Sequence, residues 1–265
     1  MPKPVMHDVG NGNGLALGRG LGQGHTSADV DVMQERALLY RMTGDDAFLA
    51  ADHFYFTEFT ALNGSGVSGG AVLAYDDDSD TLTVAIRASG LEPNQPHVQH
   101  IHGFPDGTDA QTPTLAQDAD HDGYVELGEG LSTYGPILLN LSTNHENGTG
   151  ADNGHSHDGP VTGFPTAPNG EEFFVESYHL PQGDLTADPM LALREIVIHG
   201  LTTPAGAGAG TPGEVDGTAG YKLVLPVASG EISAAGSSQD LRAFLHDIGF
   251  DDAARVQSHE GWMMA

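Results

Sequence analysis

The chain contains no cysteine, which excludes disulfides, thiolate nucleophiles and thiolate-bound metals while leaving the redox compartment open. Basic residues are scarce. Nine Lys+Arg stand against 37 Asp+Glu in 265 residues, for a formal net charge of −28. Only Lys3 and Lys222 are lysines. Without a basic face the chain has no surface for phosphates, so no nucleic-acid partner is expected, and anionic membranes repel it. Long apolar runs are missing, so no membrane span is expected, and no apolar signal-type segment is seen near the N-terminus. There is no G-x-S-x-G nucleophile elbow and no Walker loop, and the Gly-rich stretch 10–24 does not follow a strand. Carboxylates are too abundant for a paired-acid glycosidase reading to carry information. What such a chain attracts is cations, although most of its acids read as a solvated surface that serves solubility and self-repulsion.

The pattern along the chain divides it into four parts. Residues 1–28 read as a flexible Gly-rich tail. Residues 29–55 form a short helical segment in which Met33, Ala37, Leu38, Tyr40 and Met42 suit an amphipathic helix ended by Gly44, with Asp45 capping a second short helix. From 56 to 235 the period changes to two, and short strands alternate with Gly-, Pro- and Asp-rich connections. Leu82, Val84 and Ile86 face one side of a strand and Thr81, Thr83 and Arg87 the other, which predicts a half-buried antiparallel hairpin. Further strands are expected over 98–102, 136–141, 172–178, 195–199 and 221–227. The expected fold is mainly β, an antiparallel Greek-key β-sandwich with short helical N- and C-terminal extensions. Residues 236–265 form the C-terminal extension. Its stripe of Leu241, Phe244, Leu245 and Ile248, together with Trp262, either covers the sandwich or docks on a second copy to make a homo-oligomer.

The sharpest local signal is Asp118-Ala119-Asp120-His121-Asp122-Gly123-Tyr124-Val125-Glu126-Leu127-Gly128-Glu129. Side-chain oxygens fall at loop positions 1, 3, 5, 9 and 12, with Gly at 6 and an apolar residue at 8, which is the template of a calcium loop. A hard cation with roughly seven oxygen ligands needs alternate side chains to turn inward, and Gly123 permits the bend. The expected ligands are Asp118, Asp120, Asp122, the Tyr124 carbonyl, Glu126 and Glu129. Flanks too short for long helices make the Ca²⁺ a structural staple rather than a sensor.

Fourteen histidines are unevenly placed. In Pro96-His97-Val98-Gln99-His100-Ile101-His102 a strand places His100 and His102 on one face, about 6.5–7 Å apart, so that both imidazoles can converge on one metal. His97 has the opposite parity and joins them only through a bend at Pro96. His199 ends another strand. The loop Gly154-His155-Ser156-His157-Asp158 offers His155 and His157, with Asp158 a weaker candidate. Imidazole sites suit copper, zinc, nickel or iron, and spacing does not choose among them.

The runs F-T-A-L-N-G-S-G-V-S-G-G-A-V-L and L-T-V-A-I-R-A-S-G-L-E-P-N-Q-P-H-V-Q-H-I-H-G-F resemble the chordin-type (CHRD) domain. The resemblance is to its bacterial branch, in which H-I-H-G-F is followed by an acidic D-x-D-x-D-G loop and a Y-G-P strand, here His100–Phe104, 118–129 and Tyr134–Pro136. It covers roughly residues 56–232 and implies a β-sandwich with a His-lined site, at the cell exterior or envelope. A second resemblance, to copper,zinc superoxide dismutases, implies copper at His100, His102 and His199 with His155 or His157 as the loop ligand, cycling between two oxidation states. The chain departs from that pattern. It has no cysteine for the subdomain disulfide, no guiding arginine after the late strand, and a net charge that repels an anionic substrate. Three functions therefore follow as expectations: a metal-binding β-sandwich protein with Ca²⁺ and copper or zinc, a copper-dependent redox enzyme of dismutase type, and an extracellular assembly or adhesion module.

Overall fold

The computed structural model describes residues 27–144, 162–180, 185 and 190–249. Trp262 and most of the expected Gly-rich tail lie outside these residues. Among the described residues ten strands run in order β1 (His53–Glu58), β2 (Thr60–Ala61), β3 (Ser68–Asp76), β4 (Thr81–Ser89), β5 (Gln99–His102), β6 (Ile137–Asn140), β7 (Glu171–His179), β8 (Glu195–Thr203), β9 (Gly220–Glu231) and β10 (Ser233–Ala234). They form two five-stranded antiparallel sheets, ordered β10-β1-β3-β4-β7 and β2-β9-β8-β5-β6. β4 pairs with β7 while β5 and β6 lie in the other sheet, so the chain crosses between layers as in a Greek key. The mainly β sandwich expected from the period-two segments is the fold.

The period of two explains the core. Leu82, Val84 and Ile86 of β4 face inward with Leu73, Tyr75 and Phe174, and meet Ile101, Ile196, Ile198 and Val227 of the opposite sheet. At roughly 1.5–3 kcal/mol for each fully buried large apolar side chain, this layer holds the two sheets together.

The other face of β4 differs from the expectation of a half-buried hairpin. Thr83 is 2 % and Ala85 0 % exposed. Helix α1 (Ser27–Thr43) and the C-terminal helix, labelled α3 (Ser238–Asp247), lie over this sheet. Leu38 and Leu39 of α1 and Leu241, Phe244 and Leu245 of α3 form a second core with Phe54, Val72, Ala74 and Ala85. The apolar stripe of α3 is thus buried on its own chain. Arg36 of α1 donates to the Ala50 and Ala51 carbonyls and pairs with Asp52 at 3.0 Å, fixing the helix to the turn before β1. Just before that turn comes the expected second short helix, Asp46–Leu49, with the Asp45 side chain accepting the Ala47 N–H. Among the described residues no helix is long and apolar enough to cross a membrane.

Candidate metal centre

β5 and β8 are neighbours, and their register sets His100 opposite Val197 and Gln99 opposite Ile198. Because side chains alternate, Ile101, Ile196 and Ile198 enter the inter-sheet core, while His100, His102 and His199 project from the outer face of the same sheet. All three are 0–1 % exposed. One ring nitrogen from each lies within 4.8 Å of the others. The ring centroids are 5.3 Å apart for His100–His199, 5.6 Å for His100–His102 and 6.1 Å for His102–His199. His199 reaches this cluster through local irregularity, since the β8–β9 register shifts on both sides of it and Pro226 stands opposite. Bulges re-aim side chains, and proline is tolerated where the ladder is broken.

The surrounding hydrogen bonds fix the tautomers. His102 Nδ1–H donates to the Gly135 carbonyl at 2.8 Å, and His199 Nδ1–H to the Val224 carbonyl at 2.7 Å. A carbonyl only accepts, so Nδ1 carries a proton in each ring, and in the neutral imidazole Nε2 then keeps its lone pair. Those two Nε2 atoms, and Nδ1 of His100, are buried, and no hydrogen bond from the described residues reaches them. Carbonyls oriented in this way are the usual outer partners of metal-bound imidazoles. His97 is arranged differently: its ring nitrogens face two main-chain carbonyls, His199 O at 2.8 Å and Glu92 O at 3.0 Å. His155, His157 and Asp158 lie outside the described residues.

The cluster is roofed by the acidic loop's exit helix, α2 (Leu127–Tyr134). Tyr134 is fully buried, with its ring centroid 4.6 Å from that of His102. Burial pushes its phenol above the ordinary value, and its hydroxyl donates to the Leu127 carbonyl at 3.0 Å. Gly135 follows at φ +80°, and a Cβ there would stand 2.6 Å from the Gly103 carbonyl. The Phe164 ring centroid lies 5.6 Å from that of His100. Arg194, also fully buried, donates to the Phe104 carbonyl at 2.8 Å and fixes the chain just beyond His102.

In the acidic loop the structure brings together carboxylate oxygens of Asp118, Asp120 and Glu129 within 4.8 Å of one another. Gly123 takes φ +93°, as loop position 6 requires. The carboxylates are held by backbone donors: Asp118 accepts from Asp122 and Gly123, and Glu129 from Ala119, Asp120 and Glu126. Asp122 accepts the Tyr124 N–H at 2.8 Å, while its Oδ2 is buried with no hydrogen bond from the described residues. Burial raises the Asp122 pKa, and the charges of Asp120, Asp118 and Glu129 add to the rise. Glu126 also accepts a hydrogen bond from a distant segment. Its Oε1 accepts the Val215 N–H at 2.5 Å, and burial pushes its pKa up to about 7.

Sequence reasoning missed Glu195. It shares parity with Val197 and His199, lies opposite His102 across β5–β8, and is fully buried. Its Oε1 accepts the hydroxyls of Thr112 and Ser229, and burial raises its pKa to about 7. The alternation in Glu195-Ile196-Val197-Ile198-His199 carried that signal.

No family model matches the chain, and no curated protein matches it. Among solved structures the chain is similar to a point mutant of superoxide dismutase 5 from Candida albicans, at 12 % identity and a TM-score of 0.32, over 70 % of this chain and 94 % of that one.

Proposed function

We propose that this protein binds a transition metal, copper or zinc, through His100, His102 and His199, and that Ca²⁺ in the 118–129 loop braces the helix that roofs the centre. The observation that carries the reading is the convergence of three buried imidazole nitrogens within 4.8 Å, two of them on rings whose other nitrogen is already committed to a carbonyl. Neutral imidazoles presented in this way suit copper and zinc. His155 or His157 supplies a further ligand in this proposal. For calcium the contributing groups are Asp118, Asp120 and Glu129, with Asp122 and the Tyr124 carbonyl beside them. The H-I-H-G-F run and the acidic loop after it support a CHRD-type β-sandwich as the family. The complete burial of the imidazoles favours a stably held metal over copper-dependent turnover of a dissolved substrate.

Elemental analysis of the purified protein tests this directly. Calcium together with one equivalent of copper or zinc is expected, the latter lost in His199→Ala while calcium stays. A protein that holds calcium alone, or one whose His199→Ala form keeps its copper or zinc, refutes the imidazole centre.

A further inference from the structure

Glu231, Glu195 and His102 stand in a row across three neighbouring strands. The register pairs Glu231 of β9 with Glu195 of β8, and Glu195 with His102 of β5. Cross-strand partners share a face, so the row lies on the outer face that carries the imidazoles. With about 4.8 Å between strands, it runs roughly 10 Å from end to end. Burial changes along it, from exposed Glu231 to fully buried Glu195 and His102.

The exposed end opens into a cavity of about 530 Å³ whose walls include Glu58, Glu231 and Thr112. Thr112 connects this cavity to the buried acid, because its hydroxyl donates to Glu195 Oε1 at 2.5 Å. Ser229 donates to the same oxygen. Glu195 Oε2 is buried, and no hydrogen bond from the described residues reaches it, a costly arrangement for a carboxylate that serves packing alone. The rings of Tyr134 and Phe164 pack edge-on against His102 and His100.

We propose that the cavity and the carboxylate row form the loading path for the metal: Glu58 and Glu231 gather the hydrated divalent ion at the mouth, Glu195 takes it as water is shed, and His102 is the first imidazole to receive it. The path rests on the metal-centre reading above and adds to it a direction of entry and three acidic residues. Acidic clefts concentrate cations and raise association rates, whereas the final affinity belongs to the imidazoles. The path therefore controls the rate of uptake and leaves the equilibrium nearly untouched.

The test is rapid mixing of the metal-free full chain with Cu²⁺, following the ligand-field absorbance, with the dissociation constant measured separately. Glu195→Gln keeps an oxygen for Thr112 and Ser229, and Glu231→Gln alters only an exposed group. Each is expected to slow uptake, Glu195→Gln by about 10-fold, with affinity kept within a few-fold. Asp78→Asn, an exposed acid on the β3–β4 turn, removes the same charge far from the cavity and should load at the wild-type rate. Wild-type rates in both glutamine variants overturn the path. So does equal slowing in Asp78→Asn, which would assign the effect to the overall field. A loss of affinity in Glu195→Gln with no change in Glu231→Gln also overturns it, by making Glu195 part of the centre itself. A wild-type protein that takes up no copper refutes the centre and the path together, whereas normal binding with normal variant rates refutes the path alone.

Discussion

Glu172 lies on β7 among inward-facing apolar residues, with 4 % of its surface exposed and neither carboxylate oxygen in a hydrogen bond with the described residues. The Gln99 side chain tempers the shift without meeting hydrogen-bond geometry, and burial still pushes the Glu172 pKa from 4.5 up to about 8. The folded chain therefore holds this proton over a range in which the unfolded chain has released it. Stability contributed by the group is fully present below about pH 4.5 and is lost as pH rises toward 8, at about 1.36 kcal/mol per pH unit. The loss amounts to about 3 kcal/mol at pH 7 and about 5 kcal/mol from pH 8 upward. Glu172→Gln keeps the shape and removes the titration, and the introduced amide can donate to Gln99 Oε1, which otherwise makes no hydrogen bond among the described residues. The variant should match the wild type near pH 4 and exceed it by about 3 kcal/mol at pH 7. Urea unfolding followed by circular dichroism between pH 4 and 9, in chelator, measures the difference between the two proteins and cancels every other carboxylate. Parallel stability curves from pH 5 to 8 would refute the assignment of a neutral, buried acid.

Other outcomes follow from the site. Asp118→Ala combined with Glu129→Gln should lower the melting temperature in chelator through the lost backbone hydrogen bonds and should lower it further when calcium is present, since ligand binding stabilises by mass action; equal losses in both conditions count against a calcium loop. Gly135→Ala places a Cβ against the Gly103 carbonyl at a positive φ, which should cost about 1–3 kcal/mol. It should also weaken copper or zinc binding by about 10- to 100-fold by displacing the carbonyl that orients His102; unchanged affinity in a titration would remove that carbonyl from the account. Tyr134→Phe deletes only the bond to the Leu127 carbonyl, so a loss near 1 kcal/mol with metal affinity retained is expected. A loss of metal instead would mean that the hydroxyl itself shapes the centre.

Local spacing made part of this molecule legible before any coordinates. Leu82, Val84 and Ile86 announced an inward face because a strand repeats every two residues, and His100 and His102 announced a shared face for the same reason. The Asp118 to Glu129 spacing likewise fixed where a tight acidic turn had to fall. Contacts between distant segments were not legible. Thr83 and Ala85 are buried because helices from both ends of the described chain lie over them, and nothing near β4 in sequence encodes that cover. The bond from the Val215 N–H to the Glu126 carboxylate spans 89 residues, beyond the reach of local spacing. The His199 carbonyl that faces one His97 nitrogen comes from another strand, so that contact was out of view as well. The buried acids Glu172 and Glu195 were hidden by composition, since in a chain with 37 acidic residues no single one attracts notice.

The three imidazoles sit on the outside of a sheet whose inside is already complete. An ion held there would lie outside the inter-sheet core of the described residues, so its removal would open no seam between the two layers. If the imidazoles hold a metal as proposed, assembly of the scaffold and its acquisition would be separable events: the chain could be finished first and filled afterwards, and could give up the ion without coming apart.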